Sequence, residues 1–366
     1  MRLKIKEIIY YLEELAPLTS QESYDNSGLI LGDSEQYIDG ALLSLDCTED
    51  VVDEAISMGA GLIISHHPIV FKGLKKINGK NYVERTVLKA IKNDIAIYAI
   101  HTNLDNYRFG VNAKIGEILG LKNLKILAPK SDVLNKIIFF CPNEDSESVS
   151  QAMFKEGAGN IGDYESCSFE SLGHGYFTPM DGSNPTIGEQ GKRKKVNEAR
   201  VEVICSTHNT GSVLQAMKKY HPYEEVAHDV IPLLNKNYYE GAGMIGELTK
   251  PMKFESFLKK LKKDFKTGCI RHTDKVKDEV KKIAFCGGSG SFLLKDAKRS
   301  GADIFITGDF KYHEFFDAEN QLVIADIGHF ESEQFTPLLI NDVLKKKFIN
   351  FALHLSKVNT NPINYI

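Results

Sequence analysis

The chain has 366 residues, of which 42 % are apolar and 26 % charged, the composition of an ordinary soluble globular protein. This length fits two domains, or one domain that carries a large insertion. The net charge of -4 and the absence of a long apolar run argue against an extended nucleic-acid surface and against a membrane span. Six scattered cysteines without a C-x-x-C pair predict reduced thiols and a cytoplasmic protein.

The first third of the chain alternates between helical and extended patterns. Apolar residues at helical spacing predict a helix over 4–15, which Pro17 ends. A continuous apolar run, as in Leu62–Ser65, is typical of a parallel strand that is buried on both faces. The predicted elements after the first helix are a strand at 29–31, a strand at 41–45, a helix at 48–58, a strand at 62–65, a helix at 82–92 and a strand at 95–100.

The same pattern returns near the C-terminus. Residues 59–65 align without a gap on residues 301–307, and Ala41 and Ile283 both lie eighteen residues before the aligned glycines. A strand at 283–286, a helix at 291–299 and strands at 304–307 and 322–325 are predicted. This repetition suggests two α/β halves related by duplication, although any two βαβ units can share a Gly-Ala turn.

The segment between the halves has a different character. Its order of strands and helices, βαβ followed by βαβ, predicts a ferredoxin-like α+β unit with an exposed hairpin arm at 178–195. The predicted fold class is therefore a split, pseudo-duplicated α/β core with an inserted ferredoxin-like α+β domain. The core takes residues 1–128 and 234–366, and the insert takes 129–233. The insert's predicted strands are 135–140, 164–172, 199–205 and 226–231, and its helices are 146–155 and 210–220.

Ser65-His66-His67-Pro68 follows a predicted buried strand. Ligand sites of open α/β sheets lie at the carboxyl ends of strands, and imidazoles at such a position are natural ligands for a divalent metal. Taken alone, the dipeptide fits a pair of surface or capping histidines equally well.

Two more predicted strands end in the pattern His-x-x-x-acid, which places both side chains on one face of a helical turn. These pairs are His101 with Asp105 and His329 with Glu333. Four such pairs occur where about 1.5 are expected by chance, but only these two directly follow an apolar strand. Three strand ends that carry histidine therefore predict one convergent site.

This set of ligands is too large for one catalytic metal with an open position, and it suits two ions bridged by a carboxylate. The reaction class that such a centre implies is hydrolysis. Other candidates are weaker: the loop 286–291 suits an anion cradle or a supporting turn, and Asp309 and His313 suit supporting roles around the site. His221 fits turn chemistry, and Cys205 with His208 fits a structural role.

Four motifs resemble the GTP cyclohydrolase 1 type 2 homologue family, also called Ngg-interacting factor three-like, in its long form with a PII/CutA-like insert. The similarity covers nearly the whole chain. Tyr24 stands where that family usually has Trp, and Ala113 stands where Asp is expected. The motifs are Tyr24-Asp25-Asn26-Ser27-Gly28-Leu29, Ser65-His66-His67-Pro68, His101-Thr102-Asn103-Leu104-Asp105 and Gly328-His329-Phe330-Glu331-Ser332-Glu333.

The resemblance implies two divalent metal ions per subunit, of Zn, Fe or Mn, with Asp105 or Glu333 as the bridge and His101 as a catalytic acid or base. It implies a hydrolase in which metal-bound hydroxide attacks C8 of GTP and formate is released, and a homohexamer that binds a small nucleotide substrate. The implied metal ligands are His66, His67, Asp105, His329 and Glu333.

Two other functions fit the same residues. One is a non-catalytic metal-binding oligomeric scaffold or regulatory binder, whose insert senses a ligand. The other is a phosphoesterase or amidohydrolase of unknown substrate.

Overall fold

The computed structural model describes residues 2–366, which form two compact units. The first unit contains the residues up to Ala128 and those from Tyr239 onward, and the second unit is Pro129–Tyr238. The sequence placed this second boundary at residue 233. No helix in the described part of the chain has the length and apolar character that crossing a bilayer requires.

The elements of the first unit before the insert alternate largely between strands and helices. They are β1 (Leu3–Lys4), α1 (Ile5–Leu15), β2 (Gly28–Leu31), β3 (Tyr37–Ile38), β4 (Gly40–Ser44), α2 (Glu49–Met58), β5 (Leu62–Ser65), α3 (Tyr82–Lys92), β6 (Ala96–Ala99), α4 (Thr102–Asn106), α5 (Val111–Leu119) and β7 (Lys122–Lys130).

The second unit has the order β-α-β-β-α-β, and its antiparallel sheet has the strand order β11-β8-β10-β9. Its assignment to a ferredoxin-like or PII/CutA type stays a prediction. The elements are β8 (Leu134–Pro142), α6 (Ser146–Lys155), β9 (Ser168–Phe177), β10 (Lys194–Ser206), α7 (Thr210–Tyr220) and β11 (His228–Leu233).

The first unit resumes after the insert. Its remaining elements are β12 (Asn237–Lys253), α8 (Phe254–Asp264), β13 (Arg271–His272), β14 (Glu279–Ser289), α9 (Leu294–Arg299), β15 (Ile304–Gly308), β16 (Val323–Asp326), α10 (His329–Glu333), α11 (Thr336–Lys347) and β17 (Ala352–Leu355), with short 3-10 turns between some of them.

Two larger sheets form the framework of the first unit. One has the order β17-β4-β5-β6-β2, with only β2 antiparallel to its neighbour; the other has the order β13-β16-β15-β14-β12-β7, with β14, β15 and β16 parallel. Residues 41 and 62 pair across β4 and β5, and residues 283 and 304 pair across β14 and β15, so both pairs have the same separation in sequence. The proposed duplication stays a prediction.

The two sheets share one buried apolar cluster, to which Ile64 and Tyr98 contribute from the first sheet and Phe285 and Ile306 from the second. The strands β4, β5 and β6 are buried on both faces, because α2 and α3 cover the side that does not face this cluster. Burial on both faces explains the continuous apolar runs in the sequence.

Several predicted boundaries were wrong. The strand predicted at 164–172 is β9, which begins at Ser168 and continues to Phe177, and the helix predicted at 291–299 begins with a 3-10 turn. The strands β7 and β12 were missed. The strand β12 contains Gly241, Gly243 and Gly246, and such residues indicate turns in a sequence even when they lie inside a strand.

Candidate metal centre

Four histidines lie at the carboxyl ends of parallel strands in the first unit. His66 and His67 follow β5, His101 follows β6, and His329 begins α10 three residues after β16. The ring centroid of His67 lies 4.9 Å from that of His66 and 5.2 Å from those of His101 and His329. The three strand ends therefore meet at one place.

Each of the four imidazoles is oriented by an acceptor at its Nδ1 atom. Because carbonyl and carboxylate oxygens accept, each Nδ1–H donates and each Nε2 atom faces the cluster. This arrangement is typical of metal-ligating histidines, whose second nitrogen is held by an outer partner. The pairs are His66 with the Ile100 carbonyl (2.8 Å), His67 with Asp46 (2.7 Å), His101 with Asp25 (2.7 Å) and His329 with Asp309 (2.6 Å).

Two carboxylates complete the cluster. Oε2 of Glu333 lies 3.1 Å from Nε2 of both His67 and His329, whereas its Oε1 lies 3.8 Å from Nε2 of His66. Oδ1 of Asp105 lies 3.6 Å from the same nitrogen of His66. Two of the groups that could hold a metal ion, one with His67 and His329 and one with His66 and Asp105, therefore share Glu333.

The donor set fits a cation. Nε2 of His66 and Oδ1 of Asp105 are buried and have no hydrogen-bond partner anywhere in residues 2–366. Nε2 of His67 lies only 3.3 Å from Nε2 of His329, so two lone pairs face each other unless a proton or a metal ion lies between them. Buried unpaired acceptors are costly, and a divalent cation is the partner that nitrogen and carboxylate donors share.

Without a metal ion, raised pKa values allow two imidazoles and one carboxyl group of the cluster to hold protons. Burial opposes protonation of His67, but hydrogen bonds to Asp46 and Glu333 raise its pKa to about 9. Burial likewise opposes protonation of His329, whose pKa the charge of Glu333 and the hydrogen bond to Asp309 raise to about 11. Burial and the charge of Glu333 raise the pKa of Asp105 to about 8.

Glu333 responds in the opposite direction. Burial alone would raise its pKa, but the charge of His329 and hydrogen bonds to the imidazoles hold it well below the usual value. The cluster therefore keeps one carboxylate ionised at its centre and surrounds it with positive or neutral groups.

The last residues of β14 form one wall of the site. The amide of Gly288 donates to Ser332 Oγ (2.9 Å), and that of Gly287 donates to Asn112 Oδ1 (3.0 Å). Gly288 has a φ of +62°, and a Cβ atom there would lie 2.5 Å from Oε1 of Glu333. The end of β14 therefore supports the site by close approach of its backbone, which only glycine permits.

A cavity of about 510 Å³ opens above the cluster. Its rim carries aromatic rings that are unusually exposed: Tyr24 is 61 % exposed, Phe71 44 % and Phe292 64 %. The rings of Tyr24 and Phe71 lie 6.2 Å apart at an angle of 40°. Such rings offer flat apolar contact to a ligand above the cluster.

The C-terminal segment contributes to the same cavity. Residues 361–363 line it, and Thr360 Oγ1 donates to Oδ2 of Asp46, whose Oδ1 accepts from His67. Asn361 donates to Glu331 (3.2 Å), the residue before Ser332 in α10.

Sequence reasoning missed two of the orienting acids. Asp46 follows a predicted strand, so the same strand-end argument that selected the histidines could have found it. Asp25 belongs to the quoted turn motif, but the sequence does not show that the turn reaches His101. Asp309 does contact the site, as expected of a supporting residue, whereas His313 is exposed and stacks on Phe316.

The remaining candidates lie in the second unit. His221 Nε2 bonds the carbonyl of Phe140 (2.9 Å) and its Nδ1 accepts from the amide of Tyr223 (3.0 Å), which is turn chemistry. Cys205 contacts Thr210 at 3.6 Å.

Comparison with known proteins identifies the family. The family model described as Duf34/NIF3 (NGG1p interacting factor 3) matches residues 3–362. The chain belongs to the DUF34/NIF3 family. A relative from Halalkalibacterium halodurans, called "GTP cyclohydrolase 1 type 2 homolog", is 38 % identical over 364 residues, which cover 98 % of both chains. The resemblance that the histidine motifs suggested is confirmed.

Solved structures agree with this membership. A Bacillus cereus protein related to NIF3 is 38 % identical, with a TM-score of 0.86 over 99 % of both chains. A Staphylococcus aureus protein is 32 % identical, with a TM-score of 0.79 over 100 % of this chain and 99 % of its own. The mixed α/β architecture is thus that of NIF3 proteins.

Proposed function

We propose that the protein is a hydrolase that depends on two divalent metal ions and opens the guanine imidazole ring of GTP at C8, with release of formate. The observation that carries the metal-dependent part is the cluster itself. Four imidazole Nε2 atoms and two carboxylates converge, and two of these buried atoms have no protein partner within residues 2–366. The guanine substrate is supported by the name of the relatives and by the aromatic rim.

The residues that would hold the ions fall into the two groups that share Glu333. One comprises His67 and His329, and the other comprises His66 and Asp105. Bound there, the ions would lower the pKa of a water molecule and withdraw electrons from the bond under attack. The outer partners Asp46, Asp309 and the Ile100 carbonyl fix the orientation of the imidazoles, so that the donor set is formed before a ligand arrives.

His101 is the proposed acid and base. Its Nδ1–H is held by Asp25, which also accepts from the amide and hydroxyl of Thr102, so the ring cannot turn freely. Burial alone would raise the pKa of Asp25, but the hydrogen bond from His101 keeps this pKa low. Asp25 therefore remains an anion that stabilises a positive imidazole. Nε2 of His101 therefore faces the cavity with the capacity to take a proton and return it.

The aromatic rim would position the substrate. Ring opening consumes one water molecule and leaves a formamide on the pyrimidine nitrogen, and a second water molecule releases formate and leaves an amine. Both steps need the five-membered ring close to the cluster. Tyr24 and Phe71 can pack on a flat heterocycle there, because their rings are exposed beside His101, whose centroid lies 6.3 Å from that of Phe71.

We also propose a homohexamer in the cytoplasm, on the basis of the family resemblance. All six cysteines are free thiols in the structure, which suits a reducing compartment.

The test begins with the purified full-length protein, whose metal content is measured before and after loading with Zn, Fe or Mn. The loaded protein is incubated with GTP, and formate is followed with a coupled dehydrogenase assay. We expect formate from wild type, loss of metal and of formate in Asp105→Asn and Glu333→Gln, and retained metal without formate in His101→Ala.

The matched control is His313→Ala. This histidine also begins a His-x-x-x-acid pair, but it lies exposed outside the cluster, so both metal content and formate release should be unchanged. Full metal content in the two carboxylate variants would reject the metal site. Metal without formate in wild type would reject the cyclohydrolase activity and favour a scaffold or a hydrolase of another substrate.

A further inference from the structure

The second unit contains a cavity of its own, of about 750 Å³, formed only by residues of that unit. The helices α6 and α7 cover one face of its sheet, where Phe139 and Val201 are buried against Val149 and Met217. Successive residues of a strand point to opposite faces, so Phe140 and Arg200 point to the other face, which lines the cavity.

The floor of the cavity is built around Glu198. Its cross-strand partner on β9 is Gly173, and Gly175 lies two residues further along the same face. A Cβ atom at residue 175 would lie 1.8 Å from Oε2 of Glu198, so the carboxylate crosses the bare backbone of the neighbouring strand. A Cβ atom at residue 173 would meet nothing within 4 Å. Glycines inside a strand weaken it and often mark a place where a ligand approaches closely.

A loop is fastened over this floor. Between β9 and β10, Asn184 donates its amide to Oε1 of Glu224 (2.9 Å), and Thr186 Oγ1 donates to the carbonyl of Pro222 (2.8 Å). Residues 178–180 and 185–187 of this loop line the cavity together with residues 223–225. The cavity therefore has a floor and a roof that are joined by hydrogen bonds.

The charges of the lining are unbalanced. Glu198 accepts one hydrogen bond from the neutral phenol of Tyr223 (3.1 Å), and no ion pair to Glu198 is seen within residues 2–366. Arg200, the only Lys or Arg in the lining, is paired with Glu202, which lies outside it. With Glu224 and Glu225, the lining has three carboxylates against one guanidinium that is already neutralised.

The walls are apolar and partly uncovered. Met180, in the loop over the floor, lines the cavity and is nevertheless 72 % exposed. The rings of Phe177 and Tyr223 lie 6.1 Å apart beside the carboxylate of Glu198. Aromatic faces next to an unpaired carboxylate are the surroundings that an ammonium group on an apolar body prefers.

We propose that this cavity binds a small organic cation, an amine carried on an aromatic or aliphatic body. Its ammonium group pairs with Glu198, and its body covers the apolar wall and the rings of Phe177 and Tyr223. The site is separate from the metal cluster and does not depend on the proposed hydrolase activity.

The test is isothermal titration calorimetry of the full-length, metal-loaded protein with tyramine, phenethylamine and hexylamine. The matched anion is 4-hydroxyphenylacetate, which has the ring of tyramine and the opposite charge. We expect at least one amine to bind with a Kd below ~10 mM, and at least about tenfold weaker binding of the anion.

Two variants test the charge of Glu198 and the open space above Gly173 separately. Glu198→Gln keeps the shape and should weaken amine binding about tenfold, whereas Gly173→Leu should abolish binding by filling the open space above that glycine. Glu170→Gln is the control, because Glu170 is exposed on the same strand opposite Val201, on the other face. Thermal melts confirm that the variants fold.

The proposal is wrong if none of the three amines binds below ~10 mM, or if the anion binds as tightly as tyramine. It is also wrong if folded Glu198→Gln and Gly173→Leu both bind the amine like wild type.

Discussion

Gly288→Ala is the sharpest perturbation of the candidate metal centre, because it adds one carbon atom beside the proposed ligand Glu333 and removes no atom. The new Cβ would lie 2.5 Å from Oε1 of Glu333 and 3.2 Å from Nε2 of His329. Ordinary contact needs about 3.4 Å, so the carboxylate must move by about 0.9 Å or the end of β14 must shift. Metal–ligand distances tolerate only about 0.2 Å.

The expected loss follows from these distances. A ligand displaced this far should weaken metal binding about 10- to 100-fold, which corresponds to about 1.4–2.7 kcal/mol. The φ of +62° adds a separate cost of about 1–2 kcal/mol in the folded protein, because alanine is strained in the left-handed region. This second cost affects the metal-free protein as well.

Gly301→Ala is the matched control that separates the two costs. Gly301 has a φ of +70°, close to that of Gly288, but a Cβ atom there meets nothing within 4 Å. Both variants should lower the melting temperature of the metal-free protein, by about 2–4 °C for each kcal/mol. Only Gly288→Ala should lower the metal affinity.

The assay is competition with a chromophoric chelator, together with thermal melts in EDTA. Wild-type metal affinity in Gly288→Ala would contradict the close approach of β14 to Glu333. An equal loss of affinity in Gly301→Ala would attribute the effect to general destabilisation.

Thr360→Val removes the hydroxyl that holds Asp46 and should weaken metal binding about tenfold in the same competition assay, whereas Thr360→Ser should not. Asp303 is nearly buried, and burial alone would raise its pKa. Hydrogen bonds from Lys277 and the amides of residues 281 and 282 lower the pKa of Asp303 nevertheless. Asp303→Asn should therefore reduce the free energy of unfolding by about 1–3 kcal/mol near pH 7. The pKa of Asp303 in the folded protein lies below its unfolded value of ~4. The difference in melting temperature between wild type and Asp303→Asn should therefore shrink as the pH falls through the folded pKa. A difference that does not depend on pH would contradict a stabilising, ionised Asp303. Metal binding at pH 7 should release protons, since the pKa values of His67 and His329 in the metal-free protein are about 9 and 11; calorimetry in buffers of different ionisation enthalpy measures the number, and zero protons would contradict those values.

The sequence predicted the elements that carry the site better than it predicted the rest. Continuous apolar runs identify β5, β6 and β16 without tertiary information, and a histidine follows each of these strands within three residues. The His-x-x-x-acid spacing then identifies the acids that follow within one helical turn. Both features involve residues that are close in sequence, so they can be recognised without knowledge of the tertiary structure.

The orienting acids could not be found in the same way. Asp25 lies 76 positions before His101, and Asp46 lies 21 before His67, so their contacts depend on how the strands assemble. The strand β12 was missed for a different reason. Its glycines permit close packing in the fold, as at Gly246 against Leu124, but in the sequence alone glycines indicate turns. Both the orienting acids and β12 therefore depend on contacts between residues that are far apart in sequence.

The distribution of the cluster along the chain has a consequence for biosynthesis. His66, His67 and His101 form a donor group that is complete before the insert is translated, whereas His329 and Glu333 emerge more than 220 residues later. A nascent chain thus presents three imidazoles to cellular metal ions without the carboxylate that links the two groups. An ion captured at that stage would occupy a partial coordination shell, which the remaining proposed ligands would complete only when α10 docks. If the proposed centre holds metal in the cell, the order of synthesis would therefore affect the metal that it contains, in addition to the affinity of the finished protein.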